Sequence, residues 1–558
     1  MSMISTFKLK FGRSPGSVGE PIAATPVTVF VGPNNSGKSQ VLREIERYCR
    51  TGQKVANDLV IEELTFSGLA SEQASRSIER LRQPPNPGEA QQVDHIFVGS
   101  RYGRNQVPAT GLAQILQNPA GNISAFCQWY LNHLTLMLDG RSRIGLVGAQ
   151  GAGDLQRPPD TSFQVLFRDD AKRHEVRRMV LDAFGRHFVL DPTHLGQLRI
   201  RLSDRAPRDD IEERGIHADA VRFHAAAQLI DEASDGVKAF TGIVTEVMAG
   251  DPSVMLIDEP EAFLHPSLAS KLAQEVARAA LSADKRVFVS THSPQFVMGC
   301  IQSGAPVNII RLTYRGGMAT ARVLPSSEIL ELMRHPLLRS TGLLSGLFYE
   351  FVVITESDAD RALYQEVNER LLQFMPEWGI PNCLFINAQN KQTVQTLLRP
   401  LRKLGIPAVG VVDVDVLKEG GTNWTNLLSS ADLPQLSHGS FATMRAAVKN
   451  AMDSTGKDMK RDGGVAILSG ADRQAAEDLL NQLRQYGIFV VPGGELESWM
   501  KHLGAAGHGP AWLIEVFERV GEDPSDADYV RPGTDDVWAF VREIRSWLVD
   551  PTRKGIPL

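Results

Sequence analysis

Gly32-Pro33-Asn34-Asn35-Ser36-Gly37-Lys38-Ser39 follows the β-branched run Pro26–Val31 and precedes the amphipathic stretch Gln40–Tyr48. The octet fits G-x-x-x-x-G-K-[ST] set between a strand and a helix, the context in which this pattern cradles the phosphates of a nucleoside triphosphate. Gly32 and Gly37 let the backbone curl, so that the amides of Asn34, Asn35 and Ser36 face the phosphates at a helix N-terminus. Lys38 then reaches the β- and γ-phosphates, and Ser39 ligates magnesium. The octet therefore predicts an α/β P-loop fold that binds ATP.

Two later strand ends supply what such a loop needs. Val254-Met255-Leu256-Ile257-Asp258-Glu259-Pro260 is an apolar strand ending in two acids. Asp258 is predicted to hold the magnesium, and Glu259, on the other side of the strand end, to orient and polarise the attacking water. Val287-Phe288-Val289-Ser290-Thr291-His292-Ser293-Pro294 ends a further strand in a histidine placed to sense the γ-phosphate. More than two hundred residues part the first strand from the second. That is too long for a loop or a single crossover, so a helical insertion is expected at about 104–200. Within it, Arg168–Arg178 (RDDAKRHEVRR) is read as a solvated helix face, and Gly148–Pro159 as an exposed loop.

The bulk composition narrows the setting. A chain of 558 residues with 42% hydrophobic content is long enough for about three or four domain-sized cores. A formal net charge of -6 argues against a generally basic nucleic-acid coat while leaving room for a local basic face. The four cysteines, Cys49, Cys127, Cys300 and Cys383, form no Cys-x-x-Cys pair, which argues against zinc or redox work. Met1–Phe11 has no apolar run of the secretory or membrane-anchoring kind, and no later segment suits a bilayer. The expectation is a soluble, cytoplasmic protein with no membrane partner.

From about Leu344 strand and helix alternate: strand Phe351–Thr355, helix Arg361–Leu372, strand Cys383–Asn387, helix Thr393–Leu404, strand Ala408–Asp413. This predicts a doubly wound parallel sheet, and domains at 1–343 and 344–558. Acids gather at its strand ends. Glu356 closes the first strand with Asp360 one helical turn later, and Asp413 and Asp415 share one face of the third. Carboxylates crowded in this way repel unless a divalent cation neutralises them. Hard oxygen ligands point to Mg2+ or Mn2+.

The first three blocks, in their order, resemble the ABC-type ATPases of the recombination, repair and phage-defence class. Ala233-Ser234-Asp235-Gly236-Val237-Lys238, shortly before the acidic strand, is similar to that class's signature helix. The resemblance implies that Ser234 and Gly236 contact ATP bound to a second head, giving a homodimer or higher oligomer. Ser100–Gln106 lies where the class has a glutamine loop, with Gln106 as the glutamine or Arg101 lining the phosphates instead. The later acids resemble the Toprim domain, and an ABC-type head followed by Toprim is similar to the OLD (overcoming lysogenization defect) nuclease family. That likeness implies metal binding by Glu356, Asp360, Asp413 and Asp415, completed by Glu497, or Glu495, and by a lysine, Lys501 or Lys554. The family has glycine after its first glutamate, where this chain has Ser357.

The expected function is an ATP-gated, divalent-metal-dependent endonuclease acting on nucleic acid, DNA ahead of RNA. Family likeness alone adds anti-phage defence and a companion defence protein or non-coding nucleic acid. The rival is an ATPase sensor or clamp whose Toprim domain is not catalytic. Topoisomerase and primase readings rank below both, for want of a strand-gripping domain and of a zinc module.

Overall fold

A computed structural model describes residues 3–556 apart from 101–102, 141, 158, 251, 335 and 337–341. The chain divides into two compact units, Met1–Ser326 and Ser327–Leu558, a division some way upstream of the 343/344 break expected from sequence.

The first unit is built on a six-stranded sheet. Val27–Val31 lies inside it, parallel to Arg286–Ser290 on one side and to Val307–Arg315 on the other. Val254–Asp258 adds in parallel to Arg286–Ser290, and Thr135–Leu138 to Val254–Asp258. Met318–Pro325 closes the opposite edge antiparallel. Val27–Val31 is buried throughout, and Val254–Asp258 and Arg286–Ser290 in all but one residue each, as expected of central strands in a parallel sheet covered on both faces. Because these strands run in parallel, Asp258 and Ser290 end on the same edge as the turn after Val31. The helix after that turn, Lys38–Thr51, buries Val41, Leu42, Ile45 and Cys49 against the core.

The stretch 104–200 is not a single helical insertion. Thr135–Leu138 belongs to the main sheet, because a short apolar run beside a buried strand gains its ladder as readily as a longer one. Downstream, His187–Asp191 and Gln197–Ser203 form an antiparallel sheet with Gln228–Leu229, and Gln150–Gly151 pairs at its margin. The charged run at 168–178 also departs from expectation. Arg173, on the helix Asp170–Phe184, is fully buried. Its Nε donates to the buried Glu213 at 2.9 Å, while Nη2 reaches Asp170 and Asp210 at 2.7 Å each. Composition cannot distinguish a solvated charged face from an ion-pair network whose partners lie some 40 residues away. Breaking such a pair strands the remaining buried charge. Arg173→Ala should therefore lower unfolding stability by roughly 3–5 kcal/mol in denaturant melts, and Lys172→Ala by far less, since Lys172 is only partly buried.

The second unit carries an all-parallel four-stranded sheet in the spatial order Cys383–Asn387, Phe351–Thr355, Ala408–Val412, Ile488–Val490. Val353, Val409, Val411 and Phe489 pack with the helices Asp358–Phe374 and Asp536–Val549. Gly410 meets Lys391–Lys403, where an added Cβ would stand 2.8 Å from Val394. Between the third and fourth strands the chain runs through three helices, Gly421–Ser430, His438–Ser454 and Gly470–Gln485. No helix of the described residues is long and apolar enough to cross a membrane.

Candidate nucleotide site and candidate metal centre

In the first unit the loop Gly32–Ser39 holds the turn its sequence demands. Gly32 has φ +145°, and a Cβ there would lie 2.1 Å from the carbonyl oxygen of Leu312, so only glycine fits. Asn35 and Gly37 also take positive φ. Lys38 Nζ donates to the carbonyls of Gly32 and Pro33 at 2.9 and 2.7 Å. Burial pulls its pKa down to about 8 against the opposing charges of Glu259 and Asp258. The ammonium is thus held by backbone oxygens. Ser39 Oγ donates to Asp258 Oδ1 at 2.9 Å, and Ser290 Oγ donates to the same oxygen. The two residues expected to share a magnesium therefore already touch.

Glu259 sits at φ +51°, an uncommon conformation for a non-glycine residue, fixed by its N–H donating to Ser290 O at 2.9 Å. Its Oε1 stands 3.4 Å from His292 Nε2, bringing the expected water-orienting acid and phosphate sensor together. Burial lowers the His292 pKa, helped by the charge of Lys38. Ser234 precedes the helix Asp235–Ala249 and is exposed, and Gly236 packs against the carbonyl of Phe263.

Two residues here were not anticipated. Arg143 is buried and donates from Nη1 to the carbonyl oxygen of Glu259. Glu261 Oε1 accepts from the His292 N–H at 2.6 Å, and burial raises its pKa. Glu261 was legible as the acid directly after Pro260. Arg143 was hidden because its strand end, Thr135–Leu138, was assigned to an insertion. Gln106 lies in the strand Gly103–Pro108 opposite Phe97, and Arg101 lies outside the described residues.

In the second unit the parallel strands bring Glu356, Asp413 and Asp415 together, with one carboxylate oxygen from each within 4.8 Å of the others. Asp413 N–H donates to Glu356 Oε1 at 2.9 Å. Asp415 Oδ1 is buried with no hydrogen-bond partner among the described residues. Burial, then the charge of Asp413, pushes the Glu356 pKa up to about 8. Asp413 rises to about 6, chiefly by burial and against the pull of Lys460. An orphaned buried oxygen and carboxyls that resist ionising together fit a divalent cation.

Lysines attend the trio. Lys460 Nζ lies 2.7 Å from Asp413 Oδ2, and Lys391 Nζ lies 2.8 Å from Asp415 Oδ2. Sequence reasoning named Lys501 and Lys554 instead, yet Lys554 bonds Gln485 and lies over the Tyr486 ring. Lys460 lies within the helical excursion, between His438–Ser454 and Gly470–Gln485, and is seated by Gly494, where a Cβ would come within 2.0 Å of the Lys460 carbonyl oxygen. That Gly494 precedes the acids at 495 and 497 was the available signal.

Asp360, expected among the metal ligands, lies outside the trio. Its Oδ2 accepts from the Ser357 N–H at 3.0 Å and from Ser357 Oγ at 2.6 Å, closing a capping box at the start of Asp358–Phe374. Ser357 replaces the expected glycine without strain, at φ −134°. Glu497 also falls outside the trio and groups with Glu495 and His508.

The raised carboxyls set a pH dependence. Between the ordinary carboxyl range and pH 8 the folded, cation-free unit holds more protons than the unfolded chain. Stability therefore falls as pH rises through that window. Thermal melts of chelated protein should drop from pH 5 to pH 8, and Mn2+ should reverse the loss at pH 8. A flat profile would contradict the crowding.

Residues 155–298, a stretch that includes Asp258, Glu259 and His292, match the protein-family model described as "AAA domain, putative AbiEii toxin, Type IV TA system". No curated protein sequence matches the chain. Among solved structures, the SmcHead bound to the C-winged helix domain of ScpA is 14% identical, covering 59% of this chain and 99% of its own at a TM-score of 0.35. The SMC head domain from Thermotoga maritima is 14% identical, covering 58% and 99% at 0.29. CbiO1 from Clostridium perfringens, part of the ABC transporter complex cbiONQ, is 10% identical, covering 60% and 94% at 0.28. Strand order, loop geometry and the family match together identify the first unit as an α/β P-loop ATPase domain.

Proposed function

We propose that the chain is an ATP-gated, divalent-metal-dependent endonuclease of the OLD type, with an ABC-type head in its first unit and a Toprim domain in its second. The observation that carries the nuclease reading is the convergence of Glu356, Asp413 and Asp415 at the C-terminal edge of a parallel sheet, where one buried carboxylate oxygen has no hydrogen-bond partner among the described residues. Glu356, Asp413 and Asp415 would hold the cation, Mg2+ or Mn2+. Bound there, it supplies Lewis-acid polarisation of a phosphodiester and activation of water. Asp360 positions the first helix, and so the Glu356 strand end, through its cap. Lys460, whose proton Asp413 and its neighbours hold firmly despite burial, presents a cation to a phosphate oxygen.

In the head, Lys38, Ser39 and Asp258 bind ATP with magnesium, and Glu259 with His292 orients water. The exposed Ser234 at its helix start suits contact with ATP on a second head. A dimer is the assembly this reading requires. Defence against phage, with a companion protein or non-coding nucleic acid as trigger, extends the same resemblance.

The test is purified protein incubated with plasmid, single-stranded DNA and transfer RNA, with Mg2+ or Mn2+, with and without ATP. Cleavage that depends on metal and changes with ATP is expected. One observation favours the rival clamp reading: Lys391 and Lys460 already neutralise Asp415 and Asp413. ATP-dependent retention of nucleic acid with no cleavage under any metal would decide for it.

A further inference from the structure

Arg143 is buried more deeply than Lys38, at 1% against 5% exposure. Stripping water from a guanidinium is costly, so a buried one needs fixed partners to offset the loss. Burial pulls its pKa down, opposed by the charges of Glu261, Glu259 and Asp258. Each of those acids has a partner elsewhere: Ser39 for Asp258, His292 for Glu259 and Glu261. What Arg143 holds is the backbone of Glu259.

Arg143 Nη1 donates to the carbonyl oxygen of Glu259, which also accepts the Ala262 N–H at 3.0 Å. The Glu259 N–H in turn donates to Ser290 O at 2.9 Å. Both polar backbone atoms are therefore clamped at a residue whose φ is +51°. A left-handed glutamate persists only where its surroundings over-determine it. The clamp sets where the carboxylate points, with Oε1 standing 3.4 Å from His292 Nε2. The turn that carries Arg143 is itself fixed. Asp139 N–H donates to Ser142 Oγ and Ser142 N–H to Asp139 Oδ1, both at 2.9 Å. Against it lies the helix Asp235–Ala249, where a Cβ on Gly242 would stand 2.9 Å from the Arg143 carbonyl oxygen.

We propose that Arg143 is a positioning residue for ATP hydrolysis, holding Glu259 in its left-handed conformation so that the carboxylate stays against His292 and the attacking water. The inference rests on the proposed role of Glu259 as the water-orienting acid. Arg143 acts through Glu259 alone, which separates it from the residues that bind nucleotide.

The test is single-turnover hydrolysis of radiolabelled ATP by the full-length protein, with ATP affinity taken from equilibrium titration and the fold checked by thermal melting. Arg143→Gln should slow hydrolysis by roughly ten- to a hundredfold, the scale on which a misplaced catalytic group loses rate. The ATP Kd should stay within about twofold, because binding groups are untouched. Arg143→Lys keeps one donor for the Glu259 carbonyl and should recover part of the loss. In a Glu259→Gln background, Arg143→Gln should change the rate by less than about twofold, since both substitutions remove one function. A wild-type rate in Arg143→Gln, a Lys variant no better than the Gln variant, or an undiminished effect in the Glu259→Gln background overturns the proposal. So does a loss of rate that tracks a loss of ATP affinity, the mark of a role in binding or folding. If Glu259→Gln alone hydrolyses at the wild-type rate, the reading of Glu259 fails first and this proposal with it.

Discussion

Glu356→Ala should abolish metal-dependent cleavage of nucleic acid while leaving ATP binding and hydrolysis at wild-type levels. Glu356 is central to the trio: its carboxylate accepts the Asp413 N–H, its charge is felt by Lys391 and Lys460, and its own pKa is pushed up by burial and by the neighbouring acids. On the proposed reading, removing it deletes a cation ligand and lets the Asp413 backbone relax. If the bound ion supplies about 4 kcal/mol of transition-state stabilisation, its loss slows cleavage by about 10³-fold. Endpoint plasmid assays would read this as no product, and nucleotide-binding titrations as no change. Cleavage surviving in the variant would remove the second unit from the chemistry.

Glu259→Gln should arrest ATP hydrolysis while preserving ATP binding. The substitution keeps the side chain's shape but removes the negative charge that faces His292 and that is proposed to polarise water. Lys38, Ser39 and Asp258, the groups proposed to hold the phosphates and magnesium, are untouched. Loss of a positioned general base costs about 10²–10⁴-fold in turnover. Phosphate-release kinetics measure the slowing, and light scattering should show ATP-loaded dimers accumulating. Hydrolysis at the wild-type rate would mean that another residue, Glu261 first among them, carries the base.

The strands that matter could be read directly, because each is a short β-branched run closed by a turn or an acid. Phe351–Thr355 and Cys383–Asn387 fall where the sequence places them. The acids at their ends were legible for the same reason. What escaped reading was long-range. Thr135–Leu138 carries no sign that it will pair with Val254–Asp258. Lys391 and Lys460 are ordinary surface lysines until the fold sets them against Asp415 and Asp413. Asp360 looked like a ligand because helical spacing aims it near Glu356, whereas the local Ser357 cap claims its oxygen. His508 lies in a glycine-rich loop where periodicity says nothing.

The place of Val27–Val31 inside its sheet sets a clock on biosynthesis. That strand is among the first made, yet both neighbours, Arg286–Ser290 and Val307–Arg315, are encoded more than 250 residues later. Long-range parallel pairing of this kind is slow and has to wait for its partners. On the ribosome the nascent loop therefore stays unseated until the region around residue 315 has emerged. A chain truncated before that point would carry the complete phosphate-binding sequence without the sheet that makes it a site.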